Sequence, residues 1–345
     1  MPHLRFAVIL AFALAGCAAG ADRPLPEQID AVFRDAHEDG EFDGSVLVVR
    51  DGATVYERSF GLADDAGTPN AAATRFLGYS LTKPLTAILV FQQIDAGVLA
   101  LDDRLDEFFP NLAGKAAGPI TLRQLLTHTS GINEIISAHR DRRIAAADLE
   151  TATVREPGSM QYSSTGFVCL ALVLEAVTGR GYAELLEEKI LRPAGMKDSG
   201  PLRSGVAVPG LAAGHRIDSG RRVPAPLDVA PEVLDGAGTL YTTTADLARL
   251  DQALSAATIL SARLQAQMLE EQVKGRGFGW SLDEQGGKYF PWHQGSYRGF
   301  TAVLVRQIHR HEMIAILSNV EDTDVLGLRT QVLRLLKRDA AATPR

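Results

Sequence analysis

The run Ser80-Leu81-Thr82-Lys83-Pro84-Leu85-Thr86-Ala87-Ile88-Leu89-Val90-Phe91-Gln92-Gln93-Ile94-Asp95-Ala96-Gly97 carries the information that decides the fold. It is rich in Leu, Ile, Val and Ala up to Ala96, and Gly97 supplies a stop, so its length and ending favour a helix over a strand. That helix is apolar nearly all round and is expected to be buried. Ser80 and Lys83 stand at its start; residues three apart on a helix share a face, about 4.5 Å apart along the axis. A serine is a weak nucleophile until a neighbouring base takes its proton, and burial lowers a lysine pKa so that the amine can be that base. Sixteen serines and seven lysines give about 0.3 such matches by accident, so the spacing alone is weak. An ordinary helix start, with Ser as a cap and Lys in water, would look the same. The surrounding Leu81, Leu85, Ile88 and Leu89 weigh against it, because a buried amine needs a partner or a function.

Upstream, Ser45-Val46-Leu47-Val48-Val49 and Thr54-Val55-Tyr56-Glu57-Arg58 flank Asp51-Gly52 and read as a hairpin, preceded over residues 17–40 by a polar tether running into a helix. Downstream, residues 98–235 hold helix-like stretches at 122–126, 167–177 and 182–190, separated by Gly/Pro-rich turns. After Gly236-Ala237-Gly238 come a helix at 244–254, strand-like runs at 277–282, 300–305 and 313–319, and an amphipathic helix with Val325, Leu328, Val332, Leu335 and Leu336. The order is strands, helices, strands, helix. In an antiparallel sheet the early hairpin and late strands lie side by side, so the expectation is an α/β (α+β) fold: a central antiparallel sheet flanked by helices, with an inserted all-helical lobe. The sheet lobe spans about 41–78 and 236–345, the helical lobe about 79–235, and the active site is expected between them.

The 345 residues are 46% hydrophobic and 22% charged, a globular composition. A net charge of -7 and the lack of a basic cluster interleaved with aromatics exclude a nucleic-acid binder. Arg5 precedes the apolar run 6–15, too short for a stable bilayer span but of signal-peptide length. The run ends in Leu14-Ala15-Gly16-Cys17, which resembles the lipobox of bacterial lipoproteins. Residues 1–16 are thus expected to be a signal peptide and Cys17 the lipid-attachment site of an exported, periplasmic lipoprotein that meets the membrane only through this anchor; cleavage near Ala19 or Ala21 is the alternative. Only one other cysteine exists, Cys169, in an apolar run that suits a core thiol. His309, His311 and Glu312 read as a solvated hairpin tip rather than a metal site.

Two further segments join Ser80-Leu81-Thr82-Lys83. Tyr162-Ser163-Ser164 opens an apolar helix, and His293-Gln294-Gly295-Ser296 precedes a strand-like run. In order and rough spacing the three resemble the active-site motifs of the class C β-lactamase and penicillin-binding-protein superfamily of serine hydrolases, which includes family VIII esterases and DD-peptidases. Thr121-Leu122-Arg123-Gln124-Leu125-Leu126-Thr127-His128-Thr129-Ser130-Gly131, Ala237-Gly238-Thr239-Leu240, Thr244-Ala245-Asp246-Leu247-Ala248 and Phe278-Gly279-Trp280 look like further stretches of that family, over roughly residues 40–320. The resemblance implies a β-lactamase/transpeptidase-like fold with Ser80 as nucleophile and Lys83 and Tyr162 sharing general-base and general-acid work. It also implies that His293 presents an N–H to the tyrosine or the developing charge, and that the backbone N–H groups of Ser80 and Ser296 form the oxyanion hole, with Gly295 allowing close approach. No metal or cofactor is needed. Trp280, Trp292 and Tyr297 are packing or rim aromatics.

Two positions depart from the pattern. Ser164 replaces the Asn of Tyr-x-Asn, and Gln294 replaces the Thr of the third motif; with Gly295 these are the expected substrate contacts. Both changes weaken features that recognise an acyl-D-Ala-D-Ala terminus or a penicillin, and neither touches the nucleophile. No deacylating Glu of the class A type is visible. The expected activity is hydrolysis of a small-molecule or peptidoglycan-derived ester or amide, by a carboxylesterase or DD-peptidase-like enzyme. The alternatives are a β-lactamase, or a weakly catalytic envelope protein that binds penicillin or peptidoglycan.

Overall fold

The computed structural model describes residues 23–342. The leader at 1–16 and Cys17 lie outside the described residues. Helix α1 (Leu25–Glu38) leads into the hairpin β1 (Gly44–Arg50) and β2 (Ala53–Phe60); β3 (Phe76–Tyr79) then turns sharply into α2 (Thr82–Asp95). Short helices α3 (Leu105–Phe108) and α4 (Leu122–Leu126) precede the long α5 (Ser164–Thr178) and α6 (Tyr182–Leu186). Strand β4 (Gly200–Pro201), the hairpin β5 (His215–Asp218) and β6 (Arg221–Pro224), and β7 (Leu240–Thr242) lead to α7 (Thr244–Ser255) and α8 (Ala262–Met268). The chain closes with β8 (Ser281–Gln285), β9 (Lys288–Tyr297), β10 (Phe300–Gln307), β11 (Glu312–Ser318) and α9 (Val325–Ala342).

The main sheet has the order β2-β1-β11-β10-β9-β8, so the early hairpin does pair with the last strand, all antiparallel. Alternation along the strands gives the sheet two cores. Val46, Val48, Val303, Val305, Ile314 and Ile316 face α1 and α9, whereas Leu47, Val49, Ala302, Leu304, Ala315 and Leu317 belong to the larger core on the opposite face, against α7 and β3. A small sheet, β3-β7-β4, stands beside α2.

Local sequence accounts for the helix ends. Thr121 and Gln124 form a reciprocal capping box at α4, Ser163 caps α5 through Gly166 N–H, and α5 stops at Gly179, whose φ of 67° a side chain would resist. Cys169 is fully buried in α5, and burial pushes its thiol up to about 12.

Four expectations need correction. The inserted lobe is not all-helical: it contains β4 and the β5–β6 hairpin, whose turn places Ser219 and Gly220 at φ 52° and 73°. The run read as a strand from 277 begins only at Ser281; before it Gly279 N–H donates to Leu126 O (3.0 Å), and Phe278 and Trp280 fill the core beneath. The His293 segment lies within β9 rather than ahead of a strand. At the β10–β11 turn His309 and His311 are exposed, but Glu312 is buried at the start of β11.

Candidate active site

The turn between β3 and α2 builds the centre. Tyr79 adopts φ 42°, a conformation costly for a tyrosine, and sends the chain from strand to helix at Ser80. Three polar side chains near the start of α2 reach the 236–240 segment: Thr82 Oγ1 accepts from Leu240 N–H (3.0 Å), Thr86 Oγ1 donates to Gly236 O (2.7 Å), and Lys83 Nζ donates to Ala237 O (2.9 Å). Lys83 is fully buried. Its Nζ also lies 3.0 Å from Ser80 Oγ and 3.2 Å from Ser164 Oγ, so three oxygens surround one amine with three possible N–H donors.

Strand β9 closes the other side. A Cβ on Gly295 would overlap the carbonyl oxygen of Gly78, so only glycine lets β9 lie directly against the β3–α2 turn. This contact sets Ser296 next to Ser80; both line the two cavities that flank the serine.

His293 departs from expectation. Its Nδ1 lies 2.7 Å from Gln294 O, an acceptor, so the ring N–H is directed there and Nε2 carries the lone pair. Nε2 is buried and makes no hydrogen bond among the described residues. Burial, reinforced by the Lys83 charge, pushes the His293 pKa down to about 3. The ring therefore presents an acceptor, not the expected N–H.

Tyr162 is held differently again. It is 41% exposed, and its hydroxyl makes no hydrogen bond among the described residues. Its ring stacks on His128 at 4.3 Å between centroids, with Lys83 Nζ 4.9 Å from its own centroid. His128 in turn accepts Ser163 N–H on Nδ1 (3.1 Å), and burial first, then the Lys83 charge, drive its pKa far down, so the imidazole is neutral.

The cavity on the α5 side has a volume of about 280 Å³ and is lined by Ser164, Ile136, Val229, Leu234 and Tyr297 among others. Its outer wall is tied together by Asp228, which accepts from Tyr297 Oη (2.7 Å), Arg298 (2.5 Å) and Arg140 (3.0 Å). The second cavity, about 330 Å³, is lined by Tyr162, His293, Gln294, Trp292, Ser281 and Arg276. Trp280 is buried away from both, whereas Trp292 and Tyr297 do line the cleft.

Three residues of the site drew no role from the sequence. Besides His128, Glu134 is, among the described residues, the one carboxylate lining either cavity; it accepts from Ser164 N–H (2.5 Å) and Thr165 N–H (3.2 Å) and so holds the start of α5. Arg276 is half-buried, donates to Ser281 Oγ (2.6 Å) and pairs with no carboxylate among the described residues; burial lowers its pKa. Remote contacts of this kind leave no local pattern in a sequence.

A serine bonded to a buried amine, between a strand edge and a cavity on either side, is equipped for acyl transfer. A family model described as Beta-lactamase matches residues 29–337, and the chain belongs to that family of serine hydrolases. It is 28% identical over 335 residues to penicillin-binding protein 4* of Bacillus subtilis (strain 168), covering 86% of this chain and 73% of that one. It is 35% identical over 205 residues to esterase EstB of Burkholderia gladioli, covering 51% of each. The solved structure of D-amino acid amidase from Ochrobactrum anthropi SV3 in complex with L-phenylalanine amide shares the fold, with a TM-score of 0.77 at 23% identity over 92% of this chain and 99% of that one.

Proposed function

We propose that the protein hydrolyses an ester or amide through an acyl-enzyme on Ser80. The 3.0 Å contact between Ser80 Oγ and the fully buried Lys83 Nζ carries this reading. As an amine, Lys83 accepts the hydroxyl proton while Oγ attacks the substrate carbonyl; as an ammonium, it stabilises the oxygen it has just deprotonated. Charge on the carbonyl oxygen is received by the N–H groups of Ser80 and Ser296. Tyr162 gives its proton to the leaving group and regains one from the Lys83 ammonium, and the leaving group departs into the cavity that Tyr162 shares with His293 and Arg276. The acyl group then occupies the more apolar cavity with Ile136, Val229 and Leu234. Water attacks the ester on Ser80 as Tyr162 and Lys83 take its proton, Lys83 returns a proton to Ser80 Oγ, and the acid is released.

Ser164 stands where a side chain that holds the substrate's amide would be expected and Gln294 where a carboxylate-binding hydroxyl would be, which supports a small ester as substrate. Arg276 supports a second reading, a peptidase-like enzyme whose leaving group bears a carboxylate: an unpaired guanidinium beside the leaving-group cavity suits that anion. Short-chain p-nitrophenyl ester hydrolysis by wild type and Ser80→Ala tests the first. Turnover that collapses in the variant, with loss of fluorophosphonate labelling, is expected; unchanged labelling of Ser80→Ala would remove Ser80 as nucleophile. Arg276→Ala separates the two readings, raising KM for substrates with an anionic leaving group and leaving neutral esters unaffected. Export and acylation at Cys17 belong to the same proposal and predict palmitate incorporation that Cys17→Ala abolishes.

A further inference from the structure

One end of the main sheet, remote from Ser80, gathers basic side chains in a chain whose net charge is -7. Lys288, Arg310 and Lys337 line one shallow cavity of about 420 Å³ together with His309, Tyr289 and Phe290, and no carboxylate lines it. Arg334 and Arg338 are exposed on the same last turns of α9 as Lys337. None of these five cations forms an ion pair among the described residues. Carboxylates at this end are Glu27, Glu271, Glu284, Glu312, Asp51 and Asp339; Tyr289 Oη donates to Glu271 (2.9 Å), Glu312 is buried at the start of β11, and Arg50 engages Asp51 and Asp339.

The connectivity fixes what else lies there. Gly52 N–H donates to His311 O (3.1 Å), joining the β1–β2 turn to the β10–β11 turn. The end of α1 adjoins the start of β1, since Glu41 and Phe42 N–H both donate to Ala36 O (2.8 and 3.1 Å). Asp30, further back in α1, accepts from Tyr56 Oη (2.9 Å), opposite Val48. The helix therefore runs back along β1, and its first residue, Leu25, lies at the basic end, where Arg23 enters it. Leu25 follows Cys17 by eight positions, a reach of at most about 28 Å. At the opposite end of the same strand, Ser296 follows Lys288 by eight residues, about 26 Å away.

We propose that this basic end lies against the anionic surface of a lipid bilayer and holds the Ser80 cleft away from it. Lysine and arginine attract anionic headgroups, the exposed Tyr289 and the half-buried Phe290 suit an interface, and the chain enters α1 at that face. The contact is peripheral, since no single described helix is long and apolar enough to cross a membrane. It needs no acyl chain; an anchor at Cys17 would strengthen it by holding the right end close.

The test is vesicle co-sedimentation of the full chain carrying Cys17→Ala, with and without Lys288→Glu, Arg310→Glu and Lys337→Glu. Vesicles of phosphatidylcholine alone are compared with vesicles that also contain phosphatidylglycerol. The leader is common to both proteins, so its contribution cancels. Each basic residue is worth roughly five-fold in partitioning, so the three reversals are expected to lower binding to the anionic vesicles on the order of 100-fold or more and leave neutral vesicles unaffected. Added sodium chloride weakens the wild-type binding. Thermal unfolding checks that the variant folds; if it does not, Lys288→Gln with Lys337→Gln, expected at roughly 25-fold, gives the same reading. Equal binding of both proteins to anionic vesicles, or equal binding of the parent to the two vesicle types, overturns the proposal. So does displacement by inorganic phosphate beyond that of chloride at matched ionic strength, which would assign the cavity to a free anion.

Discussion

Lys83 touches Ser80 and Tyr162 lines the same cleft, and the two have opposite kinds of surroundings. The lysine sits at the base of the cleft with three oxygens around its Nζ and no solvent contact, whereas the tyrosine stands at the rim, 41% exposed, located by a neutral histidine stacked on its ring. A group that must be ready before substrate arrives gains from a fixed, desolvated position. A group that delivers a proton to leaving groups of different shape gains from some freedom. On the proposed mechanism the site would combine a rigid donor-acceptor centre with an adjustable proton carrier at the rim.

If that contrast is correct, Lys83→Ala causes the larger loss, about 1,000-fold or more in kcat with little change in KM, read by steady-state ester hydrolysis. Tyr162→Phe costs about 100-fold, and less for substrates whose leaving group needs no proton, such as p-nitrophenol, than for alkyl esters. Equal losses for both leaving groups would remove Tyr162 from proton transfer.

A third comparison concerns stability. The native His293 stays neutral down to about 3, whereas an unfolded histidine titrates near 6.5. Between those values the unfolded chain holds a proton that the native chain refuses, so stability is lost as pH falls below 6.5, by about 2 kcal/mol at pH 5 from this residue. Urea unfolding at pH 7 and pH 5 should show a smaller acid loss in His293→Asn. The smallest effect is expected for His128→Asn, about 10-fold in kcat, since it keeps an acceptor for Ser163 N–H but loses the ring beneath Tyr162. Combined with Tyr162→Phe it should add almost nothing; additive losses would mean that His128 does not act through Tyr162.

Much of the architecture is legible in the sequence because period and punctuation carry it. The apolar run after Ser80, the alternating strands at both ends and the amphipathic final helix each have one reading. The β5–β6 hairpin was also signalled, by Asp218-Ser219-Gly220, but its strands carry Arg216, Arg221 and Arg222 and so lack an alternating apolar face. The proximity of Ser80 and Lys83 follows from helix geometry. What the motifs leave out is orientation: whether His293 offers a proton or a lone pair depends on the carbonyl of Gln294, and the place of Tyr162 depends on His128, thirty-four residues earlier. Arg276 acquires meaning only through the absence of a counter-charge, which no linear pattern records.

The first turn of α1 and the last turns of α9 emerge at the same end of the molecule, on the face of the sheet turned away from the cleft. The protein is therefore suited to immobilisation. A fusion partner or a solid support attached through either helix end would leave both cavities beside Ser80 open to substrate, and a column prepared in this way should retain the turnover of the free enzyme.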